Sequence, residues 1–298
     1  MTSKSRVLHF LGLAALLLPL TTARGESVSV AELETYLSNL FAFYNERSDL
    51  PLPALSTQQI QQLARGESVH LVQRDPRPGA VEEGETVDRV VGIRLLNHAR
   101  ELVWLTALDP DVPISGFFHD VRLESDRMGS SRWWVYLDLP WPVADRHWVA
   151  DLWKNRELAE AAQGYVWEHR WDLSEGGERV AAGMVHEGRL EGIDAADVAT
   201  AVYLPVNRGG LVAAAYRDEQ TLVVYNLSTV VGGHIPDRVV RAFSRQQVGS
   251  FLDMIDRTCE SVYAHYGPDH ERIFDGLGAP MASRSSGSAD HHETTDDP

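Results

Sequence analysis

Apolar residues along this chain change their spacing several times, and each change marks an element. Val30, Leu33, Leu37, Leu40, Phe41 and Tyr44 recur at three- and four-residue steps, which predicts an amphipathic helix over residues 29–47. Pro51 and Pro53 end it, and Ser56 is placed to cap a short second helix carrying Ile60 and Leu63. The period then drops to two. Val69, Leu71 and Gln73 alternate with His70, Val72 and Arg74, and the valine-rich run 87–95 reads as a second strand. The stretch 75–84, with Pro76, Pro78 and Gly79, is the connection between them. Residues 97–108 form a compact helical segment with Ala99, Leu102, Val103 and Leu105 on its apolar face.

Strand-like runs follow at 121–125, 132–139, 147–154, 165–173, 180–190, 199–205, 211–217 and 222–231, each bounded by Gly, Pro, Asp or Asn clusters. That is the pattern of an antiparallel meander. Gly232-Gly233-His234-Ile235-Pro236 breaks the last run, and Pro236 suits the first turn of a helix. Val239, Val240, Phe243, Val248, Phe251, Leu252, Ile255, Cys259, Val262 and Tyr263 then hold one apolar stripe for about seven turns. The predicted class is α+β: one domain over 26–270, a curved antiparallel sheet wrapped around a long C-terminal helix. Residues 271–298 read as an acidic, disordered tail, most plainly from Ala279 onward.

The start of the chain has a different character. Lys4 and Arg6 precede an apolar run from Val7 to Leu20, and Ala23-Arg24-Gly25 offers small residues where a signal peptidase would cut. The run is short for a membrane span, so residues 1–25 read as an export signal and the protein as periplasmic or secreted. Against 27 Lys and Arg stand 43 Asp and Glu, a net charge of −16 over 298 residues, which loss of residues 1–25 would deepen to −19. Such a charge argues against nucleic acid as a partner and restricts membrane contact to brief encounters, with an envelope protein as a docking partner. The lone cysteine, Cys259, rules out an intrachain disulfide and a thiolate metal cluster.

Catalytic signatures for zinc hydrolysis, a serine nucleophile or nucleotide phosphates are missing from the sequence. Neither a cofactor nor a metal is therefore expected. Gly209-Gly210 and Gly232-Gly233 are isolated doublets, read as turns. Tryptophans crowd the middle of the chain instead. Strand periodicity sets Trp148, Ala150 and Leu152 opposite Asp151, so Trp148 and Leu152 are expected to face inward. Likewise Tyr165, Trp167, His169 and Trp171 share a face, with Glu168, Arg170 and Asp172 on a charged opposite one. On the last strand either Asn226 with Ser228, or Tyr225 with Leu227, points inward. Phe243, Phe251, Leu252 and Ile255 are expected to face the sheet from the long helix. Together these form an apolar pocket with sparse polar groups, the character of a small-molecule site. Arg146 is expected to pin its junction through an ion pair with Asp145 or Asp151.

Two segments carry a family likeness. Asp138-Leu139-Pro140-Trp141-Pro142-Val143-Ala144-Asp145-Arg146-His147-Trp148-Val149 resembles the Pro-aromatic-Pro-x-x-x-Arg junction of START (StAR-related lipid-transfer) domains, of the helix-grip or SRPBCC superfamily. Val231-Gly232-Gly233-His234-Ile235-Pro236 is similar to that family's Gly-Gly-x-Ile-Pro lead-in to its C-terminal helix. The resemblance implies an apolar tunnel between sheet and helix holding one phospholipid or sterol-like ligand, carried without chemistry. It makes Arg146, Gly232, Gly233 and Pro236 motif residues. Leu152 stands six residues after Arg146, where some sterol-binding members place a cavity-facing arginine. The same superfamily includes polyketide aromatases and cyclases, for which Tyr165, His169, Arg146 and Asn226 would be the proton-handling candidates. A non-carrying interaction protein with a collapsed cavity is the third reading.

Overall fold

The computed structural model describes residues 28–77, 87–110, 112, 118–126, 129–139, 143–187, 192–233, 235, 237–266 and 270–281. The export signal read at 1–25, the Pro140-Trp141-Pro142 stretch, Pro236 and the tail from residue 282 lie outside the described residues.

The first helix, α1 (Val30–Asn45), starts at Ser29, whose hydroxyl accepts from Glu32 N. Ser56 and Gln59 form a reciprocal capping box at the start of α2 (Thr57–Ala64). β1 (Val69–Arg74) and β2 (Asp88–Leu96) follow, then α3 (Arg100–Leu108). Beyond it come β3 (Phe118–Ser125), β4 (Ser131–Leu137), β5 (Arg146–Lys154), α4 (Arg156–Ala161) and β6 (Val166–Leu173). Then α5 (Gly177–His186) and α6 (Ala195–Thr200) precede β7 (Val202–Tyr203), β8 (Val206–Arg217) and β9 (Gln220–Val230). The long helix α7 (Asp237–Thr258) runs through a 3-10 turn into α8 (Val262–His265). Strands order as β1-β2-β9-β8-β6-β5-β4-β3, antiparallel throughout, with β7 adding a short parallel pairing at the start of β5.

Helices cover both faces of this sheet. On the inner face α3, α7 and the turn after it bury Trp104, Leu252 and Ile255 against Val90, Trp167, Leu211 and Val223. On the outer face α1 and α2 bury Leu33, Leu37, Tyr44 and Leu63 against Val91, Ile93, Val212 and Val224. The α+β class and the long helix held on the sheet stand as the sequence predicts.

Three expectations change. The run read as a strand from 180 is helical through His186: Val180, Ala181, Met184 and Val185 recur at helical spacing, and they pack as α5 on Trp134, Tyr136 and Val149. Gly209-Gly210 is the middle of β8, hydrogen-bonded on both sides, and makes no turn. A Cβ at Gly209 would overlap Asn226 O and the Trp171 ring, so glycine there lets the neighbouring backbone and an indole approach the strand closely. Finally, residues 271–281 belong to the fold. Ile273 is buried, Trp104 Nε1 donates to Phe274 O at 2.9 Å, and Tyr266 Oη donates to Met281 O at 3.1 Å. Beside Ile273, the strap is held by backbone hydrogen bonds, the Arg122–Glu271 ion pair and Met281 packed on the core, too little apolar periodicity to read from sequence.

Helix α7 reaches the sheet because β2 has no side chain at Gly92. A Cβ there would overlap Val248 Cγ1 and come within 3.0 Å of Leu252 Cδ1. Gly92→Ala should therefore cost about 1–3 kcal/mol by overpacking, although alanine suits a strand better than glycine. Urea unfolding followed by circular dichroism checks it; an unchanged midpoint would show that α7 has slack.

Candidate ligand-binding site

The inner face holds most of the residues that periodicity pointed inward. Trp148 and Leu152 of β5 lie with Val135, Leu173 and Val231 in one apolar cluster. From α7, Phe251 stacks on Tyr225 with ring centroids 4.6 Å apart, and Tyr225 on Trp171 at 5.3 Å. Trp171 Nε1 donates to Asn207 Oδ1 at 3.0 Å. This aromatic bridge ties the helix to the middle of the sheet. Beyond it Val135, Leu152, Trp171, Leu173 and Leu227 are only partly buried, an apolar strip with Asn207 as its polar neighbour.

Other candidates sit elsewhere. Leu252 and Ile255 are wholly buried in the core beneath α7. Phe243, expected on the sheet, is 38% exposed, because the first turns of α7 run past the packed part of the sheet. Tyr165 precedes β6 and is 66% exposed. It meets Trp167 only at a cleft of about 610 Å³ at the end of the sheet, lined also by Arg100, Tyr263, Leu277 and Met281. There the Arg100 guanidinium lies 3.7 Å from the Trp167 ring centroid and donates to Gly164 O. Asn226 is on the outer face: β9 turns Leu222, Val224, Asn226 and Ser228 toward α1 and α2, leaving Tyr225 and Leu227 inward. The charged outer face of β6 is largely buried as well, with Glu168 and Arg170 beneath α1 and its following loop.

His169 is buried on the inner face, its ring edge-on to Trp104 at 6.3 Å. Burial, with the nearby Lys154 charge, pushes its pKa down to about 3, so it is neutral at physiological pH. Sequence reasoning missed Lys154, although its parity with Trp148 and Leu152 points it inward. It stands opposite His169 in the register and donates Nζ to Gly129 O at 2.9 Å. Burial lowers its pKa to about 8 against the pull of Asp126 and Asp275. Among the described residues no three His, Cys, Asp or Glu side chains could hold a metal ion.

Arg146 does not make the expected ion pair. Its Nε donates to Val231 O at 2.6 Å and its Nη2 to Gly232 O at 3.1 Å, while Nη1 reaches Ala144 O and Asp145 O. The expected partners are engaged elsewhere: Asp145 takes Tyr136 Oη and Leu139 N, and Asp151 takes Arg132. Gly232 and Gly233 have φ of 66° and 70°, where other residues are strained, and a Cβ at Gly233 would lie 3.3 Å from Arg146 Nη2.

No protein-family model matches this chain, and no curated protein does. Among solved structures it is similar to human StAR-related lipid transfer protein 5, at 12% identity over 78% of this chain and 96% of that one, TM-score 0.46. It is also similar to a STAR-related lipid transfer protein fragment from Xanthomonas axonopodis, at 15% identity over 64% and 94%, TM-score 0.43. A third is the Zhui aromatase/cyclase from a Streptomyces species, at 13% identity over 58% and 94%, TM-score 0.38.

Arg146→Met should destabilise the chain by about 3 kcal/mol, since it strands buried carbonyls, and Arg146→Lys should recover little because a lysine lacks the planar fork. Urea midpoints of the three proteins decide it. For His169 the sign is set by proton count. Between pH 6.5 and about 3 the unfolded chain binds a proton that the folded one refuses, so this residue costs stability as pH falls through that window. His169→Phe should lose less stability than the parent between pH 7 and 4. Equal losses would mean the ring titrates normally.

Proposed function

We propose that the chain binds one hydrophobic small molecule, a phospholipid or sterol-like lipid, between the inner face of the sheet and α7. The partly buried strip of Val135, Leu152, Trp171, Leu173 and Leu227 carries this reading, because folding leaves it partly in contact with water. Covering it with a lipid recovers about 25 cal/mol per Å² of apolar surface and asks for no chemistry. Asn207, beside Trp171, is placed to orient a polar head. The two sequence motifs point the same way, since Arg146 joins them at the base of α7. The further elements of the proposal are export by the N-terminal signal and passage of the ligand through an aqueous compartment. Val239 and Phe243, exposed on the first turns of α7, would make the brief membrane contact that loading requires. An envelope protein would hold the acidic chain near the bilayer. No helix among the described residues is long and apolar enough to cross a membrane.

A second reading draws on Lys154 and His169, two proton-handling groups side by side with lowered pKa values. A cyclase acting on a polyketide chain would use such a pair. His169 is poorly tuned for it: at about 3 its pKa makes it a weak base, unable to supply a proton near neutral pH.

Native mass spectrometry of the mature protein from its own source, with organic extraction of what co-purifies, tests the first reading. One chemically intact lipid per chain is expected. Leu152→Glu should bind a fluorescent phospholipid at least about tenfold more weakly, the effect of roughly 1.4 kcal/mol. An empty protein that binds no lipid probe, or turnover of a polyketide that is lost in His169→Ala, would overturn the carrier reading.

A further inference from the structure

The outer face carries a buried polar group that lipid binding does not use. Cross-strand register sets Arg89 of β2, Ser228 of β9 and Arg208 of β8 side by side in one row. In the next row Asn226 stands beside Gly210, and Gly210 beside Arg170 of β6. Gln73 of β1 is opposite Arg89. The connection from α1 to α2 roofs these rows: Leu50 is wholly buried, and Arg89 Nη2 donates to Pro51 O as well as to Gln73 Oε1.

The charges around these rows divide unevenly. Asp75 takes Arg208 Nε at 2.9 Å and lies 3.5 Å from Arg77 Nε. Arg170 reaches Asp49 at 2.7 Å and lies 3.6 Å from Glu168, which also accepts from Tyr44 Oη at 2.5 Å and Asn155 Nδ2 at 2.7 Å. Arg77, Arg170 and Arg208 thus each have a carboxylate. Arg89 has none within ion-pair distance among the described residues, though it is only 1% exposed, and its Nε and Nη1 have no hydrogen-bond partner. Asn226 is 0% exposed, and neither its Nδ2 nor its Oδ1 is partnered. Of the carboxylates, only Asp75 and Glu168 are fully withdrawn from water, against four guanidiniums; Asp49 and Asp172 stay about half-exposed.

Ordered water can satisfy idle N–H groups, but it cannot balance a guanidinium held away from solvent. The unpartnered atoms at Arg89 and Asn226 are mostly donors, on neighbouring strands and diagonal to one another, within reach of one small acceptor. We propose that a small oxyanion, of the phosphate or carboxylate type, binds beneath the α1–α2 connection against Arg89 and Asn226. Charge-assisted hydrogen bonds from Arg89 and the Asn226 amide would hold it. The anion would serve as an internal counter-ion that fastens α1 to the sheet. This site is on the opposite face from the proposed lipid site and does not depend on it.

The test uses the full chain, dialysed into chloride at fixed ionic strength so that screening of its own net charge stays constant. Thermal unfolding is then followed while inorganic phosphate, or in a second series acetate, replaces chloride. Tm is expected to rise with the logarithm of the concentration of one of them, as for a ligand bound by the folded state alone. A response to phosphate alone assigns the phosphate class, and a response to acetate assigns the carboxylate class. Ion chromatography of the anion released by denaturing the undialysed protein should give about one per chain if the site is filled during folding. Arg89→Met should abolish the Tm response; if it fails to fold, Asn226→Ala should weaken the response at least tenfold in midpoint concentration. The proposal is overturned if no anion is released and neither series moves Tm beyond the chloride control. It is equally overturned if folded Arg89→Met, or Asn226→Ala in its place, keeps the full response.

Discussion

Arg146 is buried where two distant stretches of chain meet, and its guanidinium bonds backbone oxygens on both. One side grips Ala144 and Asp145 at the start of β5, the other Val231 and Gly232 just before α7. An ion pair would fix only a side chain. Bonds to carbonyls fix the backbone itself, and with it the point from which the long helix departs. Gly232 and Gly233 then turn the chain with positive φ, and Gly92 lets the helix settle directly on β2. The geometry of the inner face follows from these few positions, because moving the root of α7 would pull Phe251 off Tyr225.

The sheet separates two kinds of interior. Its inner side is aromatic and incompletely covered, with the Phe251–Tyr225–Trp171 bridge as a partition. Its outer side is sealed by α1 and α2 and mixes aliphatic packing with charge. Tyr44 illustrates the second kind: it is fully buried in the helix–sheet core, yet its hydroxyl donates to Glu168. Burial raises the Glu168 pKa, while Arg170, Tyr44 and Asn155 work against that rise. One strand serves both interiors, since β9 gives Tyr225 and Leu227 to one and Val224, Asn226 and Ser228 to the other.

The class of fold, the helices at either end and the inward parity of β5 and β6 were legible because each depends on short-range periodicity, whereas the short helices α4, α5 and α6 among the strands were not. What periodicity cannot supply is a sign. Alternation on β9 left Asn226 and Tyr225 equally eligible, and only the pairing of Val91 and Val212 beside that strand settles which face meets α1. Charge alone does not tell burial either: Glu168 and Arg170 are covered by a helix that lies more than a hundred residues upstream. The glycines of β8 looked like a turn because their true neighbours, the Trp171 ring for Gly209 and the Arg170 side chain for Gly210, come from another strand. Valine content suggested a strand at 180–190 where helical spacing prevailed, since Ala181 and Met184 needed one face of α5 for the sheet.

Placing Asn226 and Tyr225 on opposite sides of a single strand has a consequence for how such a chain can diverge. Substitutions at Leu152, Leu173 or Leu227 alter a surface that folding leaves half-finished, so they touch few of the contacts that hold α1 and α2. The inner face can drift in shape while the sealed side keeps the chain above its stability threshold. Descendants of this sequence are free to reshape that face, provided Arg146 and the two glycines it faces stay put.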